Sequence, residues 1–218
     1  MRLILFLAIF TALMGSFSFS SCKSSPQPFC DTACNGDTIR FKSSHPANPF
    51  VSIGMKDCNP DTITWSHDWL DAKRKLVFSD LTGKDVKINQ THMRYYIHDT
   101  SYVWLTFNDC ITGQGFMVKL PFNKTSNISR KNSALNSIDP KFHVDEGLVA
   151  YTDRGNIFVE DMATGQQATF TFGRKIETMD YTDIHQTIDT IHITREKAWA
   201  KIKMDNEWTE VSKSLNLK

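Results

Sequence analysis

The chain predicts an all-β protein built as an antiparallel β-meander, with a β-sandwich as the alternative architecture. Three observations carry that expectation. Short runs rich in β-branched and aromatic residues recur through the body, and Gly, Asn and Asp separate them. Helical periodicity is confined to two brief stretches, Ser66 to Lys75 and Ser129 to Asn136. With 40% hydrophobic and 11% aromatic residues among 218, the composition is that of a folded chain rather than a disordered one.

The strands come in three sets. Tyr102 to Phe107 and Phe116 to Leu120 make the first, separated by a Gly-containing break. Leu148 to Tyr151, Asn156 to Val159 and Ala168 to Phe172 make the second; Thr190 to Ile193, Trp199 to Met204 and Trp208 to Val211 make the third. The Asn- and Ser-rich stretch 123–139 is expected to be a long surface loop. An acidic residue followed by Thr-Gly recurs at Asp80 to Gly83, Asp109 to Gly113 and Asp161 to Gly165. Glycine supplies the positive φ of a tight turn and aspartate binds nearby backbone amides, so each is expected to join two strands. Asp205-Asn206-Glu207 fills the matching place in the last hairpin. Gly147 to Gly173 resembles one blade of a β-propeller, which implies a small or incomplete propeller-like meander. The spacing of the repeated glycines is not that of a regular propeller period.

The first 21 residues differ from the rest. Arg2 precedes an apolar run from Leu3 to Met14, interrupted only by Thr11 and too short for a helix that must span a bilayer with roughly 20 residues. Small residues follow. A basic start, a short apolar core and small residues describe an export signal. Phe19-Ser20-Ser21-Cys22 resembles the relaxed lipobox of bacterial envelope lipoproteins of the Bacteroidota type, although Phe19 replaces the usual aliphatic residue. The resemblance covers the signal region alone. It implies that Cys22 begins the mature protein, carries a lipid and ties it to a membrane. Residues 23–28 lack the acidic run of surface-exported members, which implies an outer-membrane anchor facing the periplasm. Ser18-Phe19-Ser20 also fits an ordinary secretory cleavage site, so a secreted protein is the alternative.

The organisation expected is a signal peptide over 1–21, a tether and disulfide-pinned arm over 22–37, and one all-β domain over 38–218. An exported chain sits where disulfides form. Cys30, Cys34, Cys58 and Cys110 allow three pairings; a Cys30–Cys34 bridge would close a very tight loop, so both are expected to pair with Cys58 and Cys110. The Cys30–Cys34 spacing fits no Cys-x-x-Cys redox motif, and no zinc-ligand His pair follows.

Lys plus Arg number 25 and Asp plus Glu 24, so no basic excess points to nucleic acid. No nucleophile elbow, zinc-protease helix, phosphate loop or dinucleotide fingerprint is present in the sequence. No catalytic residue, metal ligand or cofactor is therefore expected. Trp65 and Trp69, flanked by polar residues, are the candidate binding residues, as a platform for a sugar or a partner protein. The reading is a non-enzymatic binding or assembly component of the envelope, its partner an envelope protein or a glycan. An exported hydrolase acting on carbohydrate, its carboxylates converging only in the fold, is the alternative.

Overall fold

A computed structural model describes residues 28–34, 36–172, 179–180 and 183–218. Among these described residues sixteen strands form four four-stranded sheets. The first contains β1 (Ile39–Lys42), β2 (Phe50–Lys56), β3 (Asn59–Ser66) and β4 (Arg74–Val77) in sequence order. A one-and-a-half-turn helix, α1 (Phe78–Thr82), leads to the second sheet: β5 (Met93–His98), β6 (Tyr102–Asn108), β7 (Gly115–Pro121) and β8 (Ser129–Lys131).

The chain then interleaves. β9 (Ala134–Leu135) and β10 (Phe142–Val144) precede the hairpins of β11 (Leu148–Asp153), β12 (Asn156–Asp161) and β13 (Gln167–Phe170). β9 edges the third sheet beside β11, whereas β10 edges the fourth, pairing in parallel with β14 (Ile188–Ile193). β15 (Lys197–Met204) and β16 (Glu207–Ser214) complete the fourth sheet. Every other pairing is antiparallel.

Side-chain alternation explains the layering. In β6, Val103, Leu105 and Phe107 join Ile53, Ile63 and Trp65 of the first sheet in one core. Trp104, between them, faces the other way and packs with Met117, Ala134 and Val149 between the second and third sheets. Leu148, Ala150, Ile157 and Val159 of the third sheet meet Ile191, Ile193, Ala200 and Ile202 of the fourth in a further core. The second and third sheets are thus covered on both faces, which is why β6 reads as a continuous apolar run. The outer sheets alternate instead: β1 exposes Arg40 and Lys42, and β15 turns Lys197, Trp199 and Lys201 outward.

Turn chemistry matches the expected hairpins at most joints. Asp57-Cys58 and Asp205-Asn206 both have φ positive at both residues, the two-residue turn whose twist suits a hairpin. Arg154-Gly155 does the same between β11 and β12. Asp109 and Asp161 close equivalent turns: the Asp amide donates to Gln114 or Gln166, and the Thr-Gly glycine amide returns to the Asp carbonyl. Gly115 answers a different need, since a Cβ there would lie 2.1 Å from the Ala134 carbonyl oxygen where β7 and β9 meet.

Three expectations are corrected. Ser66 to Lys75 is no helix: β3 runs through Ser66, a turn follows, and β4 begins at Arg74. The first Thr-Gly joins no strands, because Gly83 at φ +72° caps α1, its amide donating to the Ser79 carbonyl at 2.8 Å. Stretch 123–139 is neither loop nor helix throughout, for it holds β8 and β9 and buries Ser133, Ala134, Leu135, Asn136 and Asp139. Among the described residues no helix is long and apolar enough to cross a membrane.

Candidate functional site

A cavity of about 700 Å³ opens between the second and third sheets. One wall is β5 and β6, through Arg94, Tyr95, Tyr96, Trp104 and Thr106; the other is β9, β11 and the segment leading from β10 into β11. Strand register sets the first wall. Tyr96 pairs with Trp104 across β5–β6, and Trp104 with Lys119 across β6–β7, so all three share the face turned to the third sheet.

Trp104 is 1% exposed, and its indole Nε1–H has no hydrogen-bond acceptor among the described residues. An indole nitrogen can only donate, and a buried donor without a partner costs about 1–3 kcal/mol. Lys119 lies over this ring, its Nζ 5.0 Å from the Trp104 centroid and 4.4 Å from that of Tyr102, while its charge is met by Glu160 at 3.0 Å. The Tyr102 hydroxyl donates to the Met162 carbonyl at 2.6 Å, tying the two sheets together. Burial, reinforced by Tyr96, Glu160 and Asp161, pushes the Tyr102 phenol up, so it remains a donor.

The opposite wall is braced from behind. Asn136 donates to the Asn108 side chain at 2.8 Å and accepts the Ile138 amide at 3.0 Å. Ser137 both donates to the Val144 carbonyl and accepts its amide. Asp145 and Glu146 supply carboxylates, the first bonded to His143 Nε2 at 3.1 Å and the second exposed. Arg94 is steadied at the rim by the carbonyls of Thr91 and Met93. The cleft therefore presents donors, acceptors and aromatic rings together, and the hydroxyl of Tyr96 lies 3.2 Å from His98 Nδ1.

The expected site residues lie elsewhere. Cys22 falls outside the described residues. The cysteines pair as Cys30–Cys110 and Cys34–Cys58, fastening the arm to the β6–β7 and β2–β3 turns. The two tryptophans do not form one platform. Trp65 is 1% exposed in the core, its indole donating to the Pro121 carbonyl at 2.8 Å beneath Arg74. Trp69 is 67% exposed and stands alone against the edges of His45 and His67. Burial, then the neighbouring His45, lowers the His67 pKa despite Asp68, leaving Nδ1 free to accept the Trp69 amide. No group of metal-ligating side chains occurs among the described residues.

Sequence reasoning missed the cleft. Its one signal was the apolar run around Trp104; the opposite wall comes from residues 135–150, which only the interleaving of β9 and β10 brings across. No protein-family model matches the chain, and the searches of curated proteins and solved structures returned no match.

Proposed function

We propose that the chain is an exported, lipid-anchored binding component of a bacterial envelope, with its ligand seated in the cleft between the second and third sheets. The observation that carries the binding role is that Trp104, whose buried indole N–H has no partner among the described residues, lines a cavity of about 700 Å³, within the size range of small-ligand sites. The anchor rests on Phe19 to Cys22 and on the two disulfides, which suit an oxidising compartment. The intact mass of the native protein from its own membrane fraction tests the anchor. A mass beginning at Cys22 with acyl chains added supports it; an unlipidated species cut near Ser20 overturns it.

Asp145 and Glu146, both lining the cleft, favour the hydrolase as a second reading. Glycoside hydrolysis needs carboxylates on either side of the scissile bond, whereas these are chain neighbours on one rim and Asp145 is engaged by His143. Release of reducing ends from a polysaccharide, lost in Glu146→Gln, would establish the hydrolase over the simple binder.

A further inference from the structure

Resting on the binding role just given, we infer that the occupant of the cleft is a carbohydrate, held through one or more pyranose rings. The argument is one of matching chemistry. The walls offer the rings of Tyr96 and Trp104, the latter with a buried N–H that can donate but not accept; acceptors that cannot donate when ionised, Asp145 and Glu146; and the Thr106 hydroxyl. Each sugar hydroxyl both donates and accepts, and the C–H face of a pyranose is flat and apolar. One ligand class satisfies all of these groups at once.

Other classes leave some of them unsatisfied or opposed. A cationic ligand would compete for a seat already filled, since Lys119 lies over both Trp104 and Tyr102 and Arg94 stands at the rim. A phosphate or other polyanion would meet two carboxylates on the same wall. An acyl chain would cover the Trp104 donor and the acids without bonding any of them. The Trp104 N–H is already shielded from water, so a ligand oxygen that reaches it replaces no water bond. Reaching it takes a small shift of lining side chains, which is common on binding.

Calorimetric titration of the full exported chain, disulfides intact, tests the inference. The probes are maltohexaose, cellohexaose, mannohexaose and the hexamer of N-acetylglucosamine, each to millimolar concentration, with an anilinonaphthalene dye and a mixed peptide pool in parallel. Saturable binding of at least one oligosaccharide is expected. Trp104→Phe, which keeps an aromatic ring and removes the N–H, weakens it about tenfold; Glu146→Gln, at an exposed position, weakens it severalfold; Trp69→Phe leaves it unchanged. Binding of the dye or peptides alone, reduced by Trp104→Phe, overturns the carbohydrate and leaves the cleft a binding site. No binding of any probe, or sugar binding indifferent to both Trp104→Phe and Glu146→Gln, overturns the cleft as the carbohydrate site; the former also removes the binding role itself.

Discussion

The two halves of the molecule close their sheets by different chemistry. The first two sheets share an aromatic core, with Trp65, Phe78, Phe107, Phe116 and Phe122 all near 1% exposed or less, and are clamped by both disulfides. The last two share an aliphatic core of Ile, Val and Ala with few rings, and carry no disulfide among the described residues. In their place stand two ionic contacts with buried acids: Asp161 with Arg195, and Asp139 with His185 at 2.7 Å. Covalent closure answers to redox conditions and ionic closure to pH. One chain thus contains two halves that are vulnerable to different insults.

Reduction should expose that difference most strongly. Breaking Cys30–Cys110 opens a loop of 80 residues, worth roughly 4–5 kcal/mol in the chain-entropy account, and Cys34–Cys58 adds roughly 3 kcal/mol for its 24. Hydrogen exchange under reductant should show amides of β1–β8 losing protection well before those of β11–β16. A uniform loss would mean the halves unfold as one unit.

The joint between the halves comes next. Gly115→Ala drives a Cβ into the Ala134 carbonyl and should cost about 3 kcal/mol, read as a fall in denaturant midpoint. An unchanged midpoint would show that β9 moves freely relative to β7.

Asp161 gives a smaller effect of defined sign. Burial opposes its ionisation, but the Thr164 amide, the Arg195 guanidinium and the Ala163 amide outweigh it and hold the carboxyl at about 2. A depressed carboxylate contributes stability above its ordinary value of 3.8 that disappears as pH falls toward 2, here about 2 kcal/mol. The stability gap between wild type and Asp161→Asn should therefore narrow over that interval. A constant gap would mean the charge contributes nothing.

The His185 effect is the smallest. The hydrogen bond that His185 Nε2–H donates to the Asp139 carboxylate, outweighing burial, raises the His185 pKa above 6.5. The pair's contribution is complete below that value and fades as pH climbs through the raised one, so His185→Gln should be most destabilising in mild acid, by under about 1 kcal/mol for so accessible a ring. Thermal melts of both proteins across that range decide it.

Local chemistry was the legible part of this sequence. Asp205-Asn206, the Asp109 and Asp161 turns, the strands from Tyr102 to Phe107 and from Leu148 to Val159, and the exclusion of a Cys30–Cys34 bridge all follow from φ preferences, alternation and loop size. The Thr-Gly pair at 82–83 shows where such reading fails. A helix C-cap and a hairpin turn both require the same left-handed residue, and a five-residue helix leaves no periodicity to tell them apart. Trp65 and Trp69 failed for a related reason. Four residues apart they share a helix face, but β3 ends at Ser66, so one turns into the core and the other to solvent. Nothing local brings Trp104 opposite Asp145.

The arm's attachment sets a distance as well as a stability. Eight residues separate Cys22 from Cys30, and a chain that short spans at most roughly 28 Å however far it is drawn out. A domain of this size is about 40 Å across. Were a lipid carried on Cys22, the β6–β7 turn that holds Cys110 would be moored closer to the bilayer than the domain is wide. Cutting both disulfides moves the mooring point to the start of β1 at Ile39, lengthening the leash to roughly 60 Å. In such an anchored protein the redox state of four cysteines would set how far from the bilayer the domain can reach.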